Sequence, residues 1–165
     1  GGMTIAIVPL DPLERGQLQV MRLRAALNML PLLIGAGVLE FTALPRARAT
    51  FDLPPFGLLP ALVVALALWL VFTAKRRWQR WGYAFTGGEL HVAHGWLTRV
   101  HTIVPVLRVQ HIDVTQGSIE RMFGVSRLVL HTAGTDNSQV ELPGIARATA
   151  EQIRDAIRAR IGSAE

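Results

Sequence analysis

The chain has 165 residues, of which half are hydrophobic and only 18% are charged, and its mean hydropathy is +0.33. Soluble domains of this size usually carry more charge, so the composition indicates a membrane protein. The absence of cysteine excludes disulfides, thiol catalysis and cysteine-ligated metal sites. The formal net charge is +5, and sixteen of the seventeen basic residues are arginine, which suits phosphate groups or anionic lipid.

The first 24 residues are expected to form an N-terminal segment on the cytoplasmic side of a membrane. The chain opens with Gly1 and Gly2 before Met3. Two glycines in this position are typical of residues left from cloning, so Met3 is the expected native start.

Two apolar stretches predict a transmembrane helical hairpin. Residues 56–74 contain no charge over 19 positions, enough for a helix rising 1.5 Å per residue to cross a hydrocarbon core of roughly 30 Å. Residues 25–44 form a weaker span of 20 residues that carries Asn28, Pro31 and Glu40. Glu40 lies near the end of this span, where it either reaches the headgroup level, with Arg46 or Arg48 in range, or serves as a functional intramembrane carboxylate.

Basic residues around the hairpin predict its orientation. Three arginines precede the first span, two lie in the expected outer loop at residues 45–55, and four cations follow the second span: Arg15, Arg22 and Arg24; Arg46 and Arg48; Lys75, Arg76, Arg77 and Arg80. Cytoplasmic flanks carry the excess of Lys and Arg. Both termini are therefore expected in the cytoplasm, with the chain crossing the membrane twice.

The segment directly after the second span mixes cations with tryptophan. Its expected contacts with the membrane interface and anionic lipid come from Lys75, Arg76, Arg77, Trp78, Arg80 and Trp81. A basic side chain gains about 1 kcal/mol near an anionic surface, and tryptophan favours the headgroup region. The segment either recognises headgroups or only anchors the second span.

Residues 75–165 are expected to form one small cytoplasmic domain. Short runs rich in Val, Ile, Leu, Thr and aromatic residues predict an antiparallel meander, strongly bent or forming an open barrel. The runs are Trp81–Thr86, Leu90–Val92, Trp96–Val104, Val109–Thr115, Val125–Thr132 and Val140–Leu142. Turns are expected at glycines and at Asp136-Asn137, and a helical turn is expected at Ser118–Phe123 with Ser118 as N-cap.

The last segment predicts an amphipathic helix. Ile153, Ile157 and Ile161 recur every fourth residue, and Thr149 with Gln152 forms a capping-box pattern. We expect the isoleucine stripe to close an open end of the sheet. Several strands followed by one closing helix is the order of a pleckstrin-homology (PH) fold.

The residues of this domain resemble the bacterial PH membrane-protein family, the YdbS-like proteins. The resemblance covers residues 78–161 and is strongest at 102–105, 108–114, 116–117, 121–124 and 131–134. Members carry two transmembrane helices before one such domain. The resemblance implies an α+β membrane protein, in which a two-helix hairpin precedes a PH-like split β-barrel closed by a C-terminal helix. It also implies no accepted catalytic activity and a poorly defined ligand. No cofactor is expected.

Enzyme and metal sites are not expected. The chain lacks G-x-S-x-G, H-E-x-x-H and P-loop motifs, and Asp113 and Glu120 are expected in a salt bridge or a solvated turn. His91 and His94 are three residues apart on a strand, so they point to opposite faces and cannot share an ion without a bulge. We therefore predict neither a catalytic residue nor a metal ligand.

Four residues in the matched motifs are candidate contacts for a partner or ligand: Arg108, Gln110, His111 and Arg121. For His111 the alternative is a hydrogen bond to backbone. The loop expected at Thr86–Glu89 lacks the cations that phosphoinositide-binding PH domains carry there, so binding of that type is not expected. Nucleic acid is not expected as a partner, because no recognition helix collects the basic residues.

The leading functional hypothesis is a non-enzymatic inner-membrane protein whose PH-like domain binds a protein partner and organises a membrane complex. The expected partner is another PH-like membrane protein or a second copy, besides membrane lipid, and small residues in both spans allow close helix approach. The alternative is a module that senses a lipid or a small ligand at the membrane surface.

Overall fold

The computed structural model describes residues 9–134 and 139–164, so the turn expected at Asp136-Asn137 lies outside the described residues. The helices are α1 (Arg15–Phe41), α2 (Ala43–Thr50), α3 (Leu58–Gln79), α4 (Ser118–Met122) and α5 (Arg147–Ser163). The strands are β1 (Gly82–Phe85), β2 (Glu89–His94), β3 (Val100–Pro105), β4 (Val109–Thr115), β5 (Ser126–Thr132) and β6 (Gln139–Ile145). The chain divides into a helical unit, Met21–Lys75, and an α+β unit built from the residues on either side of it.

The two long helices, α1 and α3, are long and apolar enough to cross a membrane. Only 11% and 6% of their most apolar windows are buried, which is far less than a core helix of a soluble protein would show. Helix α1 begins at Arg15, ten residues before the predicted span, because residues 15–24 are rich in the helix formers Arg, Gln, Leu and Met. Helix α3 likewise continues past residue 74 to Gln79.

The predicted outer loop at residues 45–55 is helical over its first half. Helix α2 forms there because Ala, Leu and Arg favour a helix and Pro45 sits in the first turn, where a backbone N–H has no helical partner. The sequence did not indicate this helix, because arginine and proline in a short stretch between two spans are typical of a loop.

Glu40 is buried and ties the end of α1 to the segment before α3. Its Oε1 accepts hydrogen bonds from Arg48 Nη2 at 2.8 Å and from the backbone N–H of Gly57. Arg48 also donates to the carbonyl oxygens of Pro54 and Pro55, at 2.8 and 3.2 Å. Of the two arginines expected in range of Glu40, Arg48 is the partner. Together, Glu40 and Arg48 connect the end of α1 to the segment before α3 by hydrogen bonds.

The α+β unit contains two antiparallel sheets of three strands, ordered β1-β2-β3 (sheet A) and β4-β5-β6 (sheet B). Opposed pairs such as Leu90 with Val104 and Leu128 with Leu142 place buried side chains towards one core. The predicted meander and its PH-like order are confirmed, and the two sheets do not join into a closed barrel. The run predicted from Trp96 becomes a strand only at Val100, because residues 95–99 form a loop.

Helix α5 packs on this core through its isoleucines. Ile153 and Ile157 are buried and Ile161 packs against the core from its edge, as the four-residue repeat predicts. The helix begins at Arg147 with Ala146 as N-cap, so the predicted capping box of Thr149 and Gln152 lies inside the helix and does not start it. Helix α4 is capped by Gly117, and Ser118 is its first residue instead of its N-cap.

The α+β unit is larger than the predicted 75–165 domain, because the chain before α1 and its first turns belong to it. Leu13 is buried in the core, and Asp11 exchanges two backbone hydrogen bonds with Tyr83 of β1, at 2.7 and 3.0 Å. At Gly16, a Cβ would lie 2.2 Å from the carbonyl oxygen of Phe123, so only glycine permits this approach.

Candidate functional site

The segment from Lys75 to Trp81 divides its side chains between solvent and protein. Lys75, Arg76 and Arg80 are exposed. Trp78 is half-buried and its indole N–H donates to the carbonyl oxygen of Glu14 at 3.0 Å. The structure therefore leaves three cations open for anionic lipid, while Trp78 is engaged by the protein.

Trp81 is also engaged by the protein. Its ring stacks on that of His94 with centroids 4.5 Å apart and 22° between planes. This contact joins the residue that precedes β1 to the last residue of β2. The composition predicts aromatic anchors at the membrane interface. It cannot show that both tryptophan rings also contact other residues of the protein.

Two of the candidate contacts, Gln110 and His111, lie side by side on β4. They line an open cleft of about 300 Å³ between β4 and the end of α5, whose own contribution includes Arg158 and Ile161. Both β4 residues are exposed. The cleft combines apolar side chains with Gln110, His111 and the cation of Arg158, so it suits a small anionic group or a protein side chain.

His111 is part of a His–Asp–His row on the outer face of sheet B. Its Nε2 lies 3.0 Å from Asp113 Oδ1, and His131 Nε2 lies 3.3 Å from Asp113 Oδ2. The two histidines are opposed in the β4–β5 register, with ring centroids 5.4 Å apart. Exposed pairs of this kind contribute little to stability, and their charge depends on protonation of histidine. The sequence alone does not predict this row, because the β4–β5 register is what places His131 beside His111 and Asp113.

Arg108 and Arg121 stand at opposite ends of sheet B. Arg108 precedes β4 and lines a cleft of about 190 Å³ that also includes Ile103 of β3 and Val140 of β6. Arg121 is exposed on α4, beyond the other end of β4. The seven-residue strand β4, roughly 23 Å long at 3.3 Å per residue, lies between them in the chain. The four candidate contacts therefore do not form one site.

A second histidine cluster lies on sheet A. His91 is buried, and its ring nitrogens lie 3.2 Å from His101 Nε2 and 3.2 Å from Glu89 Oε2. His94 takes no part in it and instead stacks on Trp81. Within residues 9–134 and 139–164, no group of three His, Asp or Glu side chains is arranged to hold a metal ion.

Glu120 forms one of the expected salt bridges, a partly buried ion pair whose partner, Arg127, the sequence did not indicate. Glu120 is 1% exposed, and its Oε1 accepts from Arg127 Nη2 at 3.1 Å and from the Gly117 N–H at 3.3 Å. Arg127 Nη1 also lies 3.6 Å from Glu141 Oε2. The hydrogen bond from Arg127 to Glu120 raises the pKa of Arg127 above its usual value, against the opposing effect of burial. The arginine therefore stays charged across the physiological range and fixes α4 to β5.

The comparison with known families decides the identity of the fold. The model of the Bacterial PH domain matches residues 31–161, which is most of the chain. The chain belongs to the Bacterial PH domain family. This confirms the resemblance inferred from residues 78–161, and the matched range also takes in parts of the helical unit.

Two curated relatives of the family are transmembrane proteins of Bacillus subtilis. The chain is 30% identical to YdbS over 83 residues, half of each protein, and 25% identical to YdbT over 93 residues, which are 56% of this chain and 19% of YdbT. The aligned segments thus span half of YdbS and a smaller part of YdbT. No solved structure matches significantly. The family and the two apolar helices together identify a membrane-associated PH-like protein.

Proposed function

We propose that this chain is a non-enzymatic membrane protein whose α+β unit binds another PH-like membrane protein and so organises a membrane complex. The observation that carries the proposal is the outer edge of sheet A. Among the described strands, β3 pairs with β2 on one side and with no strand on the other. An unpaired edge presents backbone N–H and C=O groups that a strand of another chain can complete.

The side chains of this edge favour a protein as the partner. Val100 and Ile103 of β3 are exposed, as is Leu107 just after the strand, so apolar side chains accompany the free backbone groups. A copy of the chain offers the same edge, and two such edges can pair antiparallel about a two-fold axis. Related PH-like domains would offer an edge of the same kind.

A small-molecule sensor is the weaker alternative. The clefts beside Arg108 and His111 measure about 190 and 300 Å³, at or below the lower end of typical ligand pockets. Both are open, so neither would bury a drug-sized ligand. The exposure of the surface also supports a non-enzymatic role, because His111 and Asp113 lie on an exposed face of the sheet and not in an enclosed site.

Replacing Ile103 by Asp should disrupt the association without unfolding the chain, because Ile103 is 50% exposed at the strand edge. We expect the full chain, extracted from native membranes in mild detergent, to elute as a dimer or with a stoichiometric PH-like membrane protein. Ile103→Asp should lower that association at least about tenfold, equivalent to 1.4 kcal/mol.

The matched control is Met122→Asp, which places the same charge on the exposed surface of α4, outside sheet A. This variant should associate like the unmodified chain. The proposal fails if Ile103→Asp associates normally, or if the unmodified chain elutes alone as a monomer.

We also propose that the chain crosses the cytoplasmic membrane twice with both termini inside the cell. The flanking cations support this orientation, and Arg48 of the opposing pair is held by Glu40. A fluorescent protein fused after Glu165 should therefore fluoresce, and alkaline phosphatase at the same position should be inactive. Active phosphatase with a dark fluorescent fusion would show the opposite orientation.

A further inference from the structure

The loop between β2 and β3, residues 95–99, carries the most exposed large apolar side chain in the described structure. Leu97 is 94% exposed, and it is flanked by half-buried Trp96 and exposed Arg99. A single exposed leucine is ordinary on a soluble surface. A tryptophan, a leucine and an arginine within four residues are the combination that suits a membrane interface, where rings sit among headgroups and arginine reaches phosphates.

The loop has a defined shape that presents Leu97 at its tip. Gly95 has a φ of +113°, and a Cβ at this position would lie 1.9 Å from the carbonyl oxygen of Thr98. Only glycine allows the chain to fold back this closely. The apolar tip is therefore held out by the backbone itself.

Strand direction places this loop at the end of sheet A that receives the chain from α3. Gly82, the first residue of β1, is paired with Ala93, so residues 95–99 extend past the start of β1. The stacking of Trp81 on His94 holds the residue before β1 next to the last residue of β2, at this same end of the sheet. The opposite end of sheet A holds the β1–β2 turn and the 3₁₀ turn Val106–Arg108, joined by a hydrogen bond from Val106 N–H to the Gly88 carbonyl at 3.0 Å.

A short covalent connection leads from the apolar part of α3 to this end of the sheet. Only seven residues lead from Ala74, the last of the uncharged stretch, to Trp81, which is about 10 Å of helix at 1.5 Å per residue. The headgroup region on one side of a bilayer is about 5 to 8 Å thick. The short connection therefore favours this end of the sheet, over the opposite end, for a contact with lipid.

We propose that the loop Gly95–Arg99 inserts into the lipid interface, with Leu97 at the acyl boundary and Arg99 among the phosphates. The loop would give the α+β unit a contact with the membrane beyond the covalent connection through α3. Lipid is the partner that this loop suits, because the loop combines one exposed leucine, Leu97, with the neighbouring residues Trp96 and Arg99. The surface is distinct from the β3 edge, and the inference does not depend on the proposed function.

Depth-dependent fluorescence quenching can test this contact in the full chain. The chain has no cysteine, so Leu97→Cys and Leu107→Cys each create a unique labelling site. Leu107 is the matched control, since it is an exposed leucine at the opposite end of the same sheet. Each variant carries a polarity-sensitive fluorophore and is reconstituted as one chain per nanodisc of phosphatidylcholine with one quarter phosphatidylglycerol.

Spin-labelled lipid should quench the probe at Leu97→Cys several-fold more strongly than the probe at Leu107→Cys, and only the former should shift its emission to the blue. A label at Thr98→Cys, in the same loop, should follow Leu97→Cys. Equal quenching at the two ends of the sheet would overturn the proposal. A blue-shifted but unquenched probe at Leu97→Cys would also overturn it, because that result indicates burial against protein.

Discussion

Replacing Ile157 by Asp should unfold the α+β unit. Ile157 is fully buried on the inner face of α5, within the core that includes Leu128 and Leu142. An unpaired carboxylate at such a position costs several kcal/mol, and the group can escape only by protonation or by undocking of the helix. Domains are stable by 5 to 15 kcal/mol, so this cost removes most of the free energy of unfolding.

The measurement is the thermal unfolding of the full chain in mild detergent, followed by the tryptophan fluorescence, to which Trp78 and Trp81 of the α+β unit contribute. Ala156→Asp is the matched control, because Ala156 is the adjacent residue on the exposed face of α5. The control should lose less than about 1 kcal/mol, reflecting the lower helix propensity of Asp. An unchanged melting temperature for Ile157→Asp would show that α5 does not seal the core.

The features that the sequence predicts well are those with a short repeat. Most of the uncharged run at 56–74 lies in α3, and Ile153, Ile157 and Ile161 lie on the packed face of α5. The runs rich in Val, Ile and Leu form strands, although the run from Trp96 becomes a strand only at Val100. Residue type and spacing along a short stretch favour a strand or a helix, so the local sequence carries this information. The family could also be predicted from the sequence, because the motifs that resemble it lie close together in the chain, on the strands and turns after β2.

The features that the sequence does not predict depend on contacts between distant residues. Nothing around Leu13 indicates that residues 9–20 join a core formed mainly after residue 82, yet Glu14 N–H donates to the Gly144 carbonyl at 2.8 Å. The histidine row requires the register that opposes His111 to His131. Hydrophobicity and charge do not indicate helix α2 or the early start of α1, because helix propensity decides both.

The candidate contacts illustrate the same limit. Arg108, Gln110 and His111 are close in sequence and lie together around the start of β4, whereas Arg121 belongs to the same motif series but lies past the far end of that strand. Motif order therefore identifies residues of the family without showing which of them share a surface. The exposed β3 edge and the Leu97 loop come from sheet order and backbone shape, which a single sequence does not contain.

Arg127→Met should lower the free energy of unfolding by about 3 kcal/mol, because it leaves the carboxylate of Glu120 buried without its cation. This value is the lower end of the range for broken buried pairs, since the side chain of Arg127 is 29% exposed and water can enter the vacated space. Chemical denaturation of the full chain in mild detergent measures the loss. Arg147→Met is the control with the same chemical change at the exposed pair Arg147–Glu151, and it should cost less than about 1 kcal/mol.

A double variant separates the loss of charge balance from the loss of packing. Adding Glu120→Gln to Arg127→Met removes the uncompensated charge, while the amide oxygen can still accept from the Gly117 N–H. If the buried charge causes the destabilisation, the double variant should regain a large part of the stability that Arg127→Met loses. If the loss stems from the packing of the arginine side chain, the second substitution will restore nothing, and Glu120 would then be no more than a cap for α4.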